Sequence, residues 1–165
     1  MKRCRELAVS NGGSGVITMT NVTIAQNIRT LVGATSASAV TNYGGTVQVA
    51  NTLIADNGPN QQCGGAVLLT SLGANLDSNN SCHFNQATDL TFANPLLETF
   101  VPVTGVPNFV STLGFAANSP ALDAGSSLYC PATDARGVAR PKGAACDMGA
   151  YEFDKYGVYL PLILR

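Results

Sequence analysis

The chain has 165 residues, only 12% of them charged, with nine Lys and Arg against ten Asp and Glu and a net charge of −1. That length suits one domain, and the absence of any basic run leaves a nucleic-acid partner or an anionic membrane surface without electrostatic support. Seventeen Gly, one His and no Trp, with abundant Ser, Thr and Asn, exclude a helical bundle filled with Glu, Lys and Ala and point to an all-β chain of strands and turns.

Residues 1–11, polar at both ends around Leu7-Ala8-Val9, read as the remnant of a preceding unit. Gly12-Gly13-Ser14-Gly15 is a turn, because Gly supplies positive φ without steric cost. The strand from Val16 to Val22 alternates, with Ile17 and Met19 on one face and Thr18 and Thr20 on the other. A bend at Asn21 then leads into Val22-Thr23-Ile24-Ala25, which buries Val22 and Ile24 and closes at Asn27.

The same phrase returns thirty positions later over Gly45–Asn57, identical at Gly15/Gly45, Asn21/Asn51, Ile24/Ile54, Ala25/Ala55 and Asn27/Asn57. Self-similarity at that period marks stacked supersecondary units. Leu31-Val32 and Ser38-Ala39-Val40 each offer a third short strand between the copies. Three short strands and a loop in about thirty residues suit one coil of a parallel β-helix. A meander of β-hairpins is the alternative, but no two-residue turn joins the two strands of the repeat.

Gly64 to Leu76 reads as a third, shorter unit with its bend at Ser71, 20 residues past Asn51. Stacking sets equal positions about 4.8 Å apart. Ile17, Val47 and Val67 then form one aliphatic column, and Ile24 and Ile54 another. Asn21 over Asn51 forms an amide ladder at the bend, a structural role rather than a catalytic one. The coils are expected over residues 12–97.

Five cysteines stand at 4, 63, 82, 130 and 146, in two close pairs 19 and 16 residues apart with Cys4 left over. None has C-x-x-C spacing and only one His is present, so a zinc or redox site is poorly supported. Two local disulfides, Cys63–Cys82 and Cys130–Cys146, fit better and imply an oxidising compartment; buried free thiols are the alternative. No apolar signal core follows Met1-Lys2-Arg3-Cys4-Arg5-Glu6. The expectation is therefore the C-terminal part of a longer secreted chain. Asn21-Val22-Thr23 and Asn79-Asn80-Ser81 match the glycosylation pattern, a weak signal.

From Asp77 the repeat dissolves. Asp89 to Leu97 reads as an edge segment ended by Pro95, and Pro102 and Pro107 keep residues 98–110 irregular. Residues 98–153 are expected to form an irregular cap, and 154–165 an apolar tail too short to span a bilayer. The tail reads equally as a last strand or as a recognition segment.

Within the cap region stand Ser119-Pro120-Ala121-Leu122-Asp123-Ala124-Gly125, then Cys130-Pro131-Ala132-Thr133-Asp134 with Arg136-Gly137 and Arg140-Pro141, then Cys146-Asp147-Met148-Gly149-Ala150-Tyr151-Glu152. This combination resembles the C-terminal signature of bacterial secreted or surface right-handed parallel β-helix proteins of the pectin-lyase-like repeat group. The Ser71–Cys82 stretch and the repeated coils match that group too. The resemblance implies a right-handed single-stranded solenoid, a disulfide-linked C-terminal cap and a secreted or cell-surface setting, but no reaction.

Asp123, Asp134, Arg136, Arg140, Asp147 and Glu152 are the polar residues of that motif. They are expected to replace hydrogen bonds that a regular strand would supply, with Arg forks on carboxylates. No cofactor is expected; Ca²⁺ among Asp123, Asp134, Asp147 and Glu152 is the one candidate. The cap is expected to block the open end of the stack, whose unpaired edges invite aggregation.

The function expected is a non-catalytic structural or adhesive scaffold, monomeric, facing an extracellular glycan or cell surface. A polysaccharide lyase or hydrolase with its active site upstream is one alternative. It draws nothing from this chain, where Asp56 is the only acid in the two clear repeats and His83 follows Cys82 without an evident partner. A carbohydrate-binding module is another, but only Tyr43 stands near a repeat turn as a stacking residue.

Overall fold

A computed structural model describes residues 8–27, 37, 39–58, 61–101 and 112–154. Cys4, the Leu31-Val32 segment, the stretch holding Pro102 and Pro107, and the tail from 155 onward lie outside the described residues.

The repeat is built from short strands in threes. The first unit holds β1 (Val9–Asn11), β2 (Val16–Thr20) and β3 (Thr23–Ala25). The second holds β4 (Val40–Asn42), β5 (Thr46–Ala50) and β6 (Leu53–Ala55), and the third β7 (Cys63–Gly65), β8 (Thr70–Gly73) and β9 (Leu76–Asp77). Each unit gives one strand to each of three parallel sheets, ordered β1-β4-β7, β2-β5-β8 and β3-β6-β9, the last extended by β10 (Leu90–Thr91). The two copies pair residue for residue, Val16 with Thr46 through Thr20 with Ala50, and Thr23 with Leu53 through Ala25 with Ala55. Residues 9–11 are thus the first unit's own strand in the first sheet rather than a tail. β11 (Leu97–Val101) and β12 (Thr112–Phe115) pair antiparallel, and the described helix is one 3-10 turn at Ser127–Tyr129.

The bend between the second and third sheets explains the repeated asparagine. Asn21 and Asn51 lie in the left-handed region, at φ 52° and 48°, and Ala74 takes the same conformation at 55° in the third unit. Asn tolerates that region better than other residues with a Cβ.

In the third unit the alignment differs from the one that spacing predicts. Gln48 pairs with Thr70 and Val49 with Ser71, then Ala50 with Gly73, leaving Leu72 as a bulge. Leu69, not Val67, therefore continues the column of Ile17 and Val47, and Val67 is exposed. The bend falls at Ala74 rather than Ser71. The connection from the first to the second sheet is shorter here, and the bulge then adds a residue, so no single offset registers the unit.

Two apolar cores form, one on each face of the third sheet. Met19, Ile24, Val40, Val47, Val49, Ile54, Cys63 and Leu69, from all three sheets, pack into one core that Cys82 and Phe84 join. Leu53, Ala55, Ala74 and Leu76 face the other way, onto Phe115, Ala121 and Met148. β6 is accordingly buried along its whole length. Burying a Leu, Ile or Phe side chain contributes about 1.5–3 kcal/mol, so both faces stabilise the third sheet.

This second core corrects the expected place of the C-terminal segment. Residues 121–153 do not lie across the end of the stack. They run along its side, reaching Asn21 and Thr23 in the first unit and Asn51 and Leu53 in the second. The physical reason is the apolar outer face of Leu53, Ala55 and Leu76, which solvent would otherwise meet.

Candidate functional site: the ionic cluster of the C-terminal segment

The segment begins with a turn in which Ser119 bonds its own backbone. Its Oγ accepts the N–H of Ala121 and donates to Pro95 O at 2.7 Å. Asp123 sits in the left-handed region at φ 55°, and Gly125 donates its N–H to Cys146 O at 2.7 Å. Ser126 caps the 3-10 turn by accepting from Leu128 N–H. The Cys130–Cys146 disulfide closes the loop, as Cys63–Cys82 closes the loop beyond β9. Within it, Thr133 bridges Ala139 around a turn that places Gly137 at φ 83°.

Asp134 stands at the base of that turn. Its Oδ1 accepts the N–H groups of Arg136 at 2.7 Å and Val138 at 3.0 Å, and its Oδ2 accepts Glu152 N–H at 3.0 Å and Arg136 Nε at 2.8 Å. Arg136 also donates to Glu152 O and lays its guanidinium 3.9 Å over the Tyr151 ring. Such an Arg is held by charge, by hydrogen bonds and by the ring face together.

Glu152, fully buried, accepts Lys142 N–H at 2.8 Å on Oε1, and Asp147 N–H at 3.0 Å on Oε2. Arg140 pairs with the same Oε2 at 3.1 Å. Its fork then donates to two backbone carbonyls, Asp147 O at 2.9 Å and Gly149 O at 2.8 Å. Asp147 accepts the N–H of Asp123 at 2.7 Å on Oδ1 and that of Phe153 on Oδ2. Asp123 accepts Ala145 N–H at 3.3 Å.

Burial sets the electrostatics. The Asp147 carboxyl is pushed up to about 6, chiefly by desolvation and further by the neighbouring Glu152 and Asp123 carboxylates, against the N–H groups of Asp123 and Phe153. Burial lowers Arg140, while Glu152, Asp134 and Asp147 hold its charge in place. Asp77 is raised by burial, opposed by N–H groups of Cys82, Asn79 and Asn80 and by His83.

The oxygens of Asp134, Asp147 and Glu152 are thus occupied by the chain's own N–H groups. Among the described residues no group of three or more His, Cys, Asp or Glu is placed to hold a metal ion. Asp123, Asp134, Asp147 and Glu152, the residues considered for Ca²⁺, do not come together as such a group.

The asparagine ladder belongs to the same network. Asn51 Nδ2 donates to Asn21 Oδ1 at 3.2 Å and to Ser126 O at 2.9 Å, and Asn51 Oδ1 accepts Ser126 N–H at 2.7 Å. Asn21 Nδ2 donates to Asp147 O at 3.1 Å, and Gly149 N–H donates to Asn51 O at 2.7 Å. Arg140 and Asn21 therefore share Asp147 O as acceptor.

Two further polar groups escape the spacing argument. Asn57 Nδ2 donates to Ile24 O at 2.9 Å and to Gln62 Oε1, and its Oδ1 accepts Asn27 Nδ2 at 2.7 Å, a second ladder at the far end of the third sheet. The identity of Asn27 and Asn57 in the repeat was its signal. Asp89 accepts Ser71 Oγ at 2.6 Å and Asn75 N–H at 2.9 Å, and Asn75 Oδ1 accepts Thr52 N–H at 2.9 Å. Asp56 and His83 are exposed at left-handed positions.

No protein-family model matches the chain, and neither a curated protein nor a solved structure matches it.

Proposed function

We propose that the chain is part of a right-handed parallel β-helix belonging to a secreted or cell-surface protein, and that it serves as a non-catalytic scaffold for contact with an extracellular glycan or surface. The observation that carries this reading is the use of charge. Asp134, Arg136, Arg140, Asp147 and Glu152 are spent on backbone groups of their own segment. A catalyst would instead aim such groups at an open position.

The solvent-facing column Thr18, Gln48 and Thr70 on the second sheet supports the same reading, since it offers hydroxyl and amide groups but no acid, base or nucleophile pair. Two disulfides and stacked parallel sheets support an oxidising, extracytoplasmic β-helix.

The test pairs two assays on the oxidised protein. Incubation with pectin and polygalacturonate is expected to release no new reducing or unsaturated ends, and a glycan panel or whole-cell pull-down is expected to show retention. Cleavage that disappears on substituting any residue of this chain overturns the scaffold reading.

A further inference from the structure

The Asn-x-Ser/Thr pattern of a glycan acceptor occurs at Asn21-Val22-Thr23 and again at Asn79-Asn80-Ser81, and the fold gives the two copies opposite settings. At the first, Asn21 is buried with its Nδ2 donating to Asp147 O at 3.1 Å, and Thr23 Oγ1 accepts Ala150 N–H at 2.9 Å. Both polar residues of that copy seat the C-terminal segment, which a sugar on Asn21 would keep off the stack.

The second copy lies in the loop after β9. Asp77, fully buried, anchors that loop: its Oδ1 accepts Asn79 N–H at 3.1 Å and its Oδ2 accepts Cys82 N–H at 2.7 Å. Asn79 itself is exposed. Its Oδ1 accepts the N–H of Ser81 at 3.1 Å and the Ser81 hydroxyl at 2.7 Å, so the amide and the hydroxyl of the pattern meet in one Asx turn. Ser81 Oγ also accepts the N–H groups of Gln62 at 2.8 Å and Cys63 at 3.1 Å, which fixes the turn against the third unit. Beside it opens a cleft of about 280 Å³ whose walls include Gln61, Leu68, Ser81 and His83, polar and apolar together, as the faces of a sugar ring are.

We propose that Asn79 is an N-glycosylation acceptor of this chain and that Asn21 is not. The inference rests on the secreted or cell-surface setting proposed above, because the pattern is read on exported chains. The donor is a glycan carried through C1 of its first sugar on a lipid diphosphate. Asn79 Nδ2 bonds to C1 as the C1–O bond to the diphosphate breaks; the diphosphate leaves with the electron pair, and a proton of Nδ2 passes to a base of the transferase. Nothing is oxidised or reduced. Transfer leaves Asn79 Oδ1 and the two bonds it accepts from Ser81 in place, so the modified loop keeps its turn.

The experiment secretes the chain from a eukaryotic cell line behind a heterologous signal peptide. Intact mass is read before and after release by an N-glycosidase, and peptide mapping then locates the Asn converted to Asp. One glycan per chain is expected, on Asn79, with Asn21 unmodified. Asn79→Asp keeps an Oδ1 for Ser81 but removes the nitrogen, and is expected to abolish the modification with an unchanged circular dichroism spectrum. Ser81→Thr retains the hydroxyl and is expected to keep it. A secreted chain without a glycan, a glycan on Asn21 of the folded protein, or a mass increment that persists in Asn79→Asp each overturns the proposal. Acceptance of a sugar does not depend on what the folded chain binds. Cleavage of pectin would therefore sink the scaffold reading and leave this one standing, and a bare Asn79 would do the reverse.

Discussion

Asn51 donates its side-chain amide to Asn21 at 3.2 Å, and the same amide reaches Ser126 O at 2.9 Å. One side chain therefore joins two stacked units to the segment along their side. Its backbone is held in the left-handed region at φ 48°.

That relationship predicts an ordering of variants. Asn51→Ala loses bonds to Asn21 and to both backbone groups of Ser126 and keeps an unfavourable φ, at a combined cost of about 3–5 kcal/mol. Asn51→Gly loses the same bonds but adopts the φ freely, and is expected to be about 1 kcal/mol more stable than the alanine variant. Urea midpoints read both. Equal stabilities would remove the backbone argument, and a loss below about 1 kcal/mol for either would remove the bonding one.

Asp147 predicts the pH dependence. Its folded pKa of about 6 lies above the ordinary 3.8, so the native state keeps a proton that the unfolded chain has released. The stability this contributes is fully present below about pH 4 and is lost as pH rises through 6. Between pH 5 and 7.5 the expected loss is about 1.5 kcal/mol, and Asp77, raised as well, acts in the same direction. The groups facing Asp147 are Glu152, Asp123 and Arg140, so Asp147→Asn is expected to flatten the profile. Rising stability over that window in the parent, or an unchanged slope in the variant, counts against the assignment.

The thirty-residue repeat was legible in the sequence because Ile17 and Val47, or Ile24 and Ile54, are the same physical position in adjacent units. Cys63–Cys82 and Cys130–Cys146 were legible from local spacing. The third unit was not, since the shorter turn before Leu69 and the bulge at Leu72 shift the register in opposite directions. The seat of the C-terminal segment was also hidden. Asn21 and Asp147 meet across 126 residues without any periodicity, and the one trace was that Leu53-Ile54-Ala55 is apolar on both faces of a strand.

Gly149 is one point where that segment lies against the stack, donating its N–H to Asn51 O at 2.7 Å. It lies at φ 88°, and a Cβ there would stand 2.5 Å from Thr23 Oγ1 and 3.3 Å from Leu53 Cβ. Gly137, at φ 83°, has nothing within 4 Å of its Cβ position. Gly137→Ala is expected to cost only the conformational penalty of about 1–2 kcal/mol, and Gly149→Ala about 1–3 kcal/mol more from the clash. Thermal midpoints of the two variants separate strain from packing. Similar midpoints would mean that the segment does not sit against Thr23.

Arg140 and Glu152 predict an asymmetric pair of substitutions. Both side chains are fully buried, and Arg140 also satisfies the carbonyls of Asp147 and Gly149. Arg140→Met leaves Glu152 buried without its cation and takes one donor from each of two carbonyls, which keep only Asn21 Nδ2, a loss of about 3–5 kcal/mol. Adding Glu152→Gln removes the stranded charge while its side-chain oxygen still accepts an N–H from Lys142 or Asp147, so the double variant is expected to recover about 1–2 kcal/mol. A double-mutant cycle by urea denaturation measures this coupling. Strictly additive losses would show that the pair contributes separately to folding and that the ionic cluster is not a single unit.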